Sequence, residues 1–180
     1  MPPQLTVEEA SRLGEDAFVR RFGGLYEHSP WVAEGAWRRR PFNSLDDLRR
    51  AFERTVWDAP AERRLALIRS HPELAGREAG EGALTAESSS EQASAGLNRL
   101  SPEQVEELAQ LNAAYREKFG FPMVLAVREN TTESIFAQAK ARLANPRDQE
   151  LEHALDQIFR IAGLRLRELV ADSDREGNMT

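Results

Sequence analysis

No cysteine occurs among the 180 residues. Disulfides, thiolate nucleophiles and Cys-built zinc or iron–sulfur sites are thereby removed together, while nothing is said about compartment. Histidine is scarce as well. His28, His71 and His153 stand at spacings that match no helical metal motif, so no metal is expected. Long hydrophobic runs are missing: the longest purely aliphatic stretch, Met123–Val127, has five residues, against the roughly 20 that a membrane helix needs. Met1-Pro2-Pro3-Gln4 lacks both the charged and the apolar region of a signal peptide. Positive charge is in deficit, with 24 Lys+Arg against 30 Asp+Glu, a net charge of −6 and a pI near 5.3. That balance argues against a protein that binds nucleic acid by bulk phosphate neutralisation, and the short cluster Arg38, Arg39, Arg40 does not reverse it. These absences together give the expectation of a soluble cytoplasmic protein with neither nucleic acid nor membrane as a partner.

What is present is ordinary globular material, 41% hydrophobic and 30% charged, at a length that fits one compact domain. Its periodicity is helical almost throughout. Thr6 and Glu9 form a capping box ahead of the stripe Val7, Ala10, Leu13, Ala17, Phe18. Ser44 and Asp47 open a segment with Leu45, Leu48, Phe52 and Val56 inward, and Pro60 opens another that Pro72 stops. Residues 75–86 hold three glycines and no stripe, so they read as a loop, followed by a short helix from about Ser88 to Leu97. Ser101, Pro102 and Gln104 give the clearest start signal, for a helix that ends at Gly120. Thr132 caps a further helix, and Pro146 begins a long one that runs to about Ala171. The expected fold is all-α: one domain over residues 1–180 with six to eight helices, a core from about 8 to 171, and a frayed polar tail over 172–180. The three tryptophans, Trp31, Trp37 and Trp57, read as core packing, and His28 and His153 as surface residues.

Four features do not fit a merely structural bundle. The last helix carries its stripe at Leu151, Leu155, Ile158, Ala162 and Leu169, and the residue in register with it at 165 is an arginine. A guanidinium aimed at a core needs an internal ion pair, a snorkelling path or a small carboxylate or ureido-type ligand. His71 lies at a helix end before Pro72, where it either caps the helix C-terminus or moves protons near neutral pH. Ser88 and Glu91 match a Ser-x-x-Glu capping box, yet a helix start also receives anions, which would leave Glu91 as a proton-transfer partner. After Gly120 and Pro122, the apolar stretch Met123-Val124-Leu125-Ala126-Val127 reads as extended. Its backbone groups, if buried, need a ligand, another strand or a side chain as partners.

Taken in order, these fragments resemble one family. His71-Pro72-Glu73-Leu74-Ala75, Ser88-x-x-Glu91-Gln92 with Ala95-Gly96-Leu97, Leu111-Asn112-x-x-Tyr115-x-x-Lys118-Phe119-Gly120-Phe121-Pro122 and Arg142-Leu143-x-Asn145 resemble the OHCU decarboxylases over residues 8–171. The resemblance implies a compact all-α homodimer without metal or organic cofactor. The implied reaction converts 2-oxo-4-hydroxy-4-carboxy-5-ureidoimidazoline, a small molecule of urate breakdown, to (S)-allantoin and CO₂. It implies His71 as the catalytic histidine, Glu91 as its acidic partner and Arg165 as the arginine that holds the substrate. Pro72, Ser88 and Gln92 become further substrate contacts, and the backbone of Met123, Val124, Leu125, Ala126 and Val127 becomes the holder of the ring. Relatives often carry Phe where Met123 stands, a difference of little consequence if backbone groups do the holding. Asn178-Met179-Thr180 differs from the peroxisomal tripeptide of many eukaryotic members, consistent with a cytoplasmic enzyme. Two other readings use the same residues: a helical interaction domain in which Arg165 and Glu91 form an ion pair and His71 is a cap, and an enzyme acting on a sibling ureido compound.

Overall fold

Thr6 accepts a hydrogen bond from the Glu9 N–H while the Glu9 carboxylate takes the Thr6 N–H at 2.7 Å, closing the expected capping box on α1 (Val7–Arg12). The stripe behind it is not one helix. Leu13 and Gly14 are both extended, and α2 (Glu15–Phe22) starts afresh. The break frees the Leu13 carbonyl, which accepts the Trp37 indole N–H at 3.0 Å. The computed structural model describes residues 3–75 and 85–171. Residues 76–84 of the expected loop, and the tail from 172 onward, lie outside them.

The described residues are helical with no β-strand; an isolated parallel bridge joins Leu5 to Val170. After α1 and α2 come α3 (Trp31–Trp37), α4 (Leu45–Trp57), α5 (Ala61–Arg69), α6 (Ala86–Ser94), α7 (Pro102–Phe119), α8 (Thr132–Arg142) and α9 (Arg147–Leu169). These exceed the expected six to eight because residues 7–22 divide and because Trp31–Trp37 forms a helix of its own. None of them is long and apolar enough to cross a membrane. Cα packing separates two units, Met1–Leu67 with Phe159–Thr180, and Ile68–Ile158.

In the first unit, Phe18, Phe22, Tyr26 and Phe52 form an aromatic core, with Phe18 on Phe22 at 4.6 Å and Tyr26 stacked on Phe52 at 6.0 Å. Each is buried to 2% exposure or less, so truncating one to Ala should cost about 3–5 kcal/mol. Helices α3 and α4 meet at Gly35, where a Cβ would come within 2.2 Å of the Thr55 methyl. The tryptophans correct the core expectation. Trp31 and Trp37 are half-buried beneath the guanidinium groups of Arg63 and Arg40, and Trp57 is 46% exposed.

In the second unit, the Ser101–Gln104 capping box and Pro102 start α7 as the sequence indicates, and Gly120 ends it at φ 78°. Only glycine adopts that conformation without strain. Two caps are displaced from their expected residues. Thr131, one residue before Thr132, caps α8. Thr85 caps α6 by accepting the Ser88 N–H, so the Ser88–Glu91 capping box does not form and Glu91 sits in the body of the helix.

Candidate active site

The second unit gathers three of the four unusual features. Helix α5 ends at Arg69, and the His71 N–H closes back on the Ile68 carbonyl at 3.2 Å. His71 is buried to 7% exposure, and Pro72 then turns the chain away from helix. The segment that follows is held from two helices. From α6, the Gln92 side chain donates to the Glu73 carbonyl at 3.2 Å and accepts the Ala75 N–H at 2.8 Å. From α7, the Asn112 amide donates to the Leu74 carbonyl at 2.9 Å, and Arg116 pairs with the Glu73 carboxylate at 2.8 Å. Three consecutive residues after Pro72 are thereby tied down through backbone groups. Ala75 is held at φ 46°, a left-handed conformation unusual for alanine. Such restraint is what a histidine needs if its ring is to meet a reacting group in one orientation.

Ser88 and Gln92, one turn apart on α6, are both buried, while Glu91 is half-buried. Helix α6 also packs against the short 3-10 turn Val127–Glu129 that closes the extended stretch. One helix therefore touches both the His71 segment and the end of the Met123–Val127 segment.

That extended stretch is buried from Phe121 through Val127 and carries no helical ladder before the 3-10 turn. A charged network anchors it. Arg142, at the end of α8, donates to the Val124 carbonyl at 2.7 Å and to the Glu150 carboxylate at 2.9 Å. Glu150 also receives Tyr115 Oη–H and, at 2.7 Å, the Asn145 amide. Glu150 is fully buried and Arg142 nearly so. Burial pushes the Glu150 carboxyl up, but the Tyr115 and Asn145 hydrogen bonds and the Arg142 charge outweigh it and hold the group below the ordinary 4.5. Burial raises the Tyr115 phenol, which stays protonated as a donor.

A family model described as OHCU decarboxylase matches residues 11–167. The chain belongs to the OHCU decarboxylase family. Within it, the 2-oxo-4-hydroxy-4-carboxy-5-ureidoimidazoline decarboxylase of Haloferax volcanii is 46% identical over 165 residues, covering 92% of this chain and 96% of that protein. Among solved structures, a crystal structure of (S)-allantoin synthase is similar with a TM-score of 0.75 at 27% identity. The match covers 92% of this chain and 54% of that one, so the present chain spans about half of its length. A crystal structure of OHCU decarboxylase in the presence of (S)-allantoin has a TM-score of 0.65, covering 88% of this chain and all of that one. At 21% identity this second likeness is one of fold.

The family motif residues that the sequence offered without an explanation now have one. Asn112, Tyr115, Arg142 and Asn145 support the His71 segment or the Met123–Val127 segment, and Lys118 donates to the Leu143 and Asn145 carbonyls at 2.6 and 3.1 Å. Gln92, expected as a substrate contact, has its amide oxygen and nitrogen on backbone groups two and four residues after His71.

Arg165 belongs to the first unit, and there its partners are Glu27 at 3.1 Å and the Gly24 and Leu25 carbonyls at 3.4 Å each. The sequence reading did not pick out Glu27. Its one signal was a carboxylate between Tyr26 and a histidine–serine–proline turn, where the chain leaves a helix beside buried aromatics. Glu150 and Gln157 were missed as site supports too. They look like ordinary helix residues until tertiary packing places them.

Proposed function

We propose that this protein decarboxylates 2-oxo-4-hydroxy-4-carboxy-5-ureidoimidazoline to (S)-allantoin and CO₂. The observation that carries the reading is the placement in one unit of buried His71, of Ser88, Glu91 and Gln92 on α6, and of the buried Met123–Val127 segment. His71, Ser88, Glu91 and Gln92 match positions of the family motif, and Met123–Val127 follows its Phe121-Pro122.

The chemistry asks for proton handling and for a place to put electrons. When the bond from ring carbon 4 to the carboxylate breaks, its electron pair passes toward the neighbouring ring C=N. The hydroxyl on carbon 4 becomes a carbonyl and gives up its proton. Carbon 5 and its ring nitrogen each gain one, so one proton beyond the hydroxyl's own enters from the site. The ring thus serves as its own electron sink, and the reaction written this way requires no cofactor. His71 takes the hydroxyl proton, with Glu91 as its acidic partner, and delivery of a proton to one face of carbon 5 makes the product a single enantiomer. Pro72 and Ser88 border the substrate, and the backbone of Met123, Val124, Leu125, Ala126 and Val127 holds its ring. Arg165, by the family resemblance, neutralises an anionic or carbonyl part of the substrate. The resemblance also supports a homodimer working in the cytoplasm, which sedimentation of the purified chain and localisation of a tagged copy would check.

The test follows circular dichroism at a wavelength where (S)-allantoin absorbs asymmetrically. Urate is oxidised and its first product hydrolysed in the cuvette, and the purified protein is added. Fast growth of the (S)-allantoin signal above the slow racemic background is the expected result. A folded helical spectrum with no acceleration at micromolar protein would reject the reading in favour of a sibling substrate or a binding module.

A further inference from the structure

Buried backbone groups outside a helix must find partners, and along Met123–Val127 three of them find side chains, the Ala126 carbonyl taking the Asn130 amide at 3.0 Å. Arg142 donates to the Val124 carbonyl at 2.7 Å, and the Gln157 side-chain oxygen accepts the Ala126 N–H at 3.0 Å. These anchors fall on the two peptide groups that flank Leu125. A trans peptide is planar and carries its C=O and N–H on opposite sides, and the cis peptide of the chain's described residues lies elsewhere, at Arg40–Pro41. Anchoring the Val124 carbonyl therefore turns the Leu125 N–H away from Arg142. Anchoring the Ala126 N–H likewise turns the Leu125 carbonyl away from Gln157. Among the described residues, neither the N–H nor the C=O of Leu125 has a hydrogen-bond partner, although Leu125 is only 3% exposed.

One residue thus presents a donor and an acceptor, each fixed from behind. The –NH–C(=O)– edge of a cyclic urea or ureido group carries the complementary acceptor and donor. We propose that Arg142 and Gln157 are positioning residues which clamp the two peptides around Leu125 so that its N–H and C=O receive that edge of the substrate. Arg142 does more than hold. A cation on the Val124 carbonyl polarises the whole peptide unit, which strengthens the Leu125 N–H as a donor. Glu150 and Tyr115 fix the guanidinium that does this. The inference rests on the reading of Met123–Val127 as the segment that holds the ring.

Gln157 offers the cleaner test, because it is half-buried and uncharged. Gln157→Leu removes the acceptor for the Ala126 N–H, whereas Gln157→Glu retains one. With the full chain and (S)-allantoin as probe, Gln157→Leu should raise KM and weaken (S)-allantoin binding about tenfold. The pH profile of kcat should stay as in the wild type, the thermal midpoint should fall because the Ala126 N–H is left buried without its acceptor, and Gln157→Glu should recover most of the binding and of the midpoint. Arg142→Lys, which keeps the charge but loses the fork, should shift KM in the same direction. In the wild type, the Leu125 amide resonance should move on titration with (S)-allantoin, and in Gln157→Leu it should move less. Unchanged KM and binding in Gln157→Leu would overturn the proposal. So would a wild type that turns over substrate while its Leu125 amide stays still on saturation with (S)-allantoin. A wild type without turnover would instead remove the reading beneath it, and the clamp along with it.

Discussion

Arg165 and Glu27, 138 residues apart in sequence, form an ion pair at 3.1 Å, with 5% and 2% of their respective surfaces exposed. The pair accounts for a guanidinium on the core stripe of α9. Removing either partner leaves the other charge buried, which typically costs about 3–5 kcal/mol, whereas removing both at constant volume is often neutral. Arg165→Ala should therefore lower the urea midpoint whether or not Arg165 meets substrate. The informative variant is Arg165→Met with Glu27→Gln. It should keep near wild-type stability and lose turnover if Arg165 holds the substrate. Near wild-type turnover in that double variant would confine Arg165 to structure.

His71 is restrained on its C-terminal side by Gln92, Asn112 and Arg116 acting on the next residues. These restraints act on the residues after His71, and they remain in place when its ring is replaced. His71→Asn should reduce kcat by about 10²–10⁴, the usual worth of a positioned acid–base group, with an unchanged helical spectrum. Full activity in this variant would reject the assignment of His71.

The helical character of the chain was legible because start and stop signals act locally. Thr6–Glu9, Ser101–Pro102–Gln104 and Gly120 sit where the side-chain chemistry places them. The displaced caps failed for a related reason: Thr85 and Ser88 are both competent cap residues three positions apart, and the helix starts at the first of them, where Thr85 accepts the Ser88 N–H. The candidate site was legible at residues whose type is unusual for their position, such as His71 before Pro72 or Arg165 on a core stripe. Its supports were not. Glu27, Glu150 and Gln157 act through partners 138, 8 and 31 residues away, and no periodicity announces such pairings. The extended stretch fell between these cases. Its lack of helical character was readable from Gly120 and Pro122, while the identity of its backbone partners had to come from the fold.

Gln92 carries a specific consequence of its bonding. Its amide donates to the Glu73 carbonyl and accepts from the Ala75 N–H, so Gln92→Glu keeps the acceptor and turns the donor into a repelling oxygen. Leaving a buried carbonyl unsatisfied costs about 1–3 kcal/mol, an upper bound for the half-buried Glu73. The variant should lose stability by up to that amount in urea and lose kcat more than KM, because the His71 segment is disturbed before the ring-holding segment is. A rise in KM alone would make Gln92 a direct substrate contact and no more.

Glu150 sets how the second unit responds to acid. Its carboxyl lies below the ordinary 4.5 in the folded chain because Tyr115, Asn145 and Arg142 together outweigh the cost of burial. A carboxyl depressed on folding binds fewer protons folded than unfolded. Its contribution is therefore present in full above the unfolded value and fades as pH falls through the folded one. The unfolding free energy should accordingly decline as pH drops below about 4.5. Glu150→Gln abolishes the titration. It should be less stable at pH 7, where Arg142 is left as a buried cation without its carboxylate, and its stability should depend less steeply on pH in the acid range. Urea titrations of both proteins across the acid range measure the two slopes. Equal slopes would show that the acid sensitivity arises elsewhere and that the Arg142–Glu150 pair does not govern it.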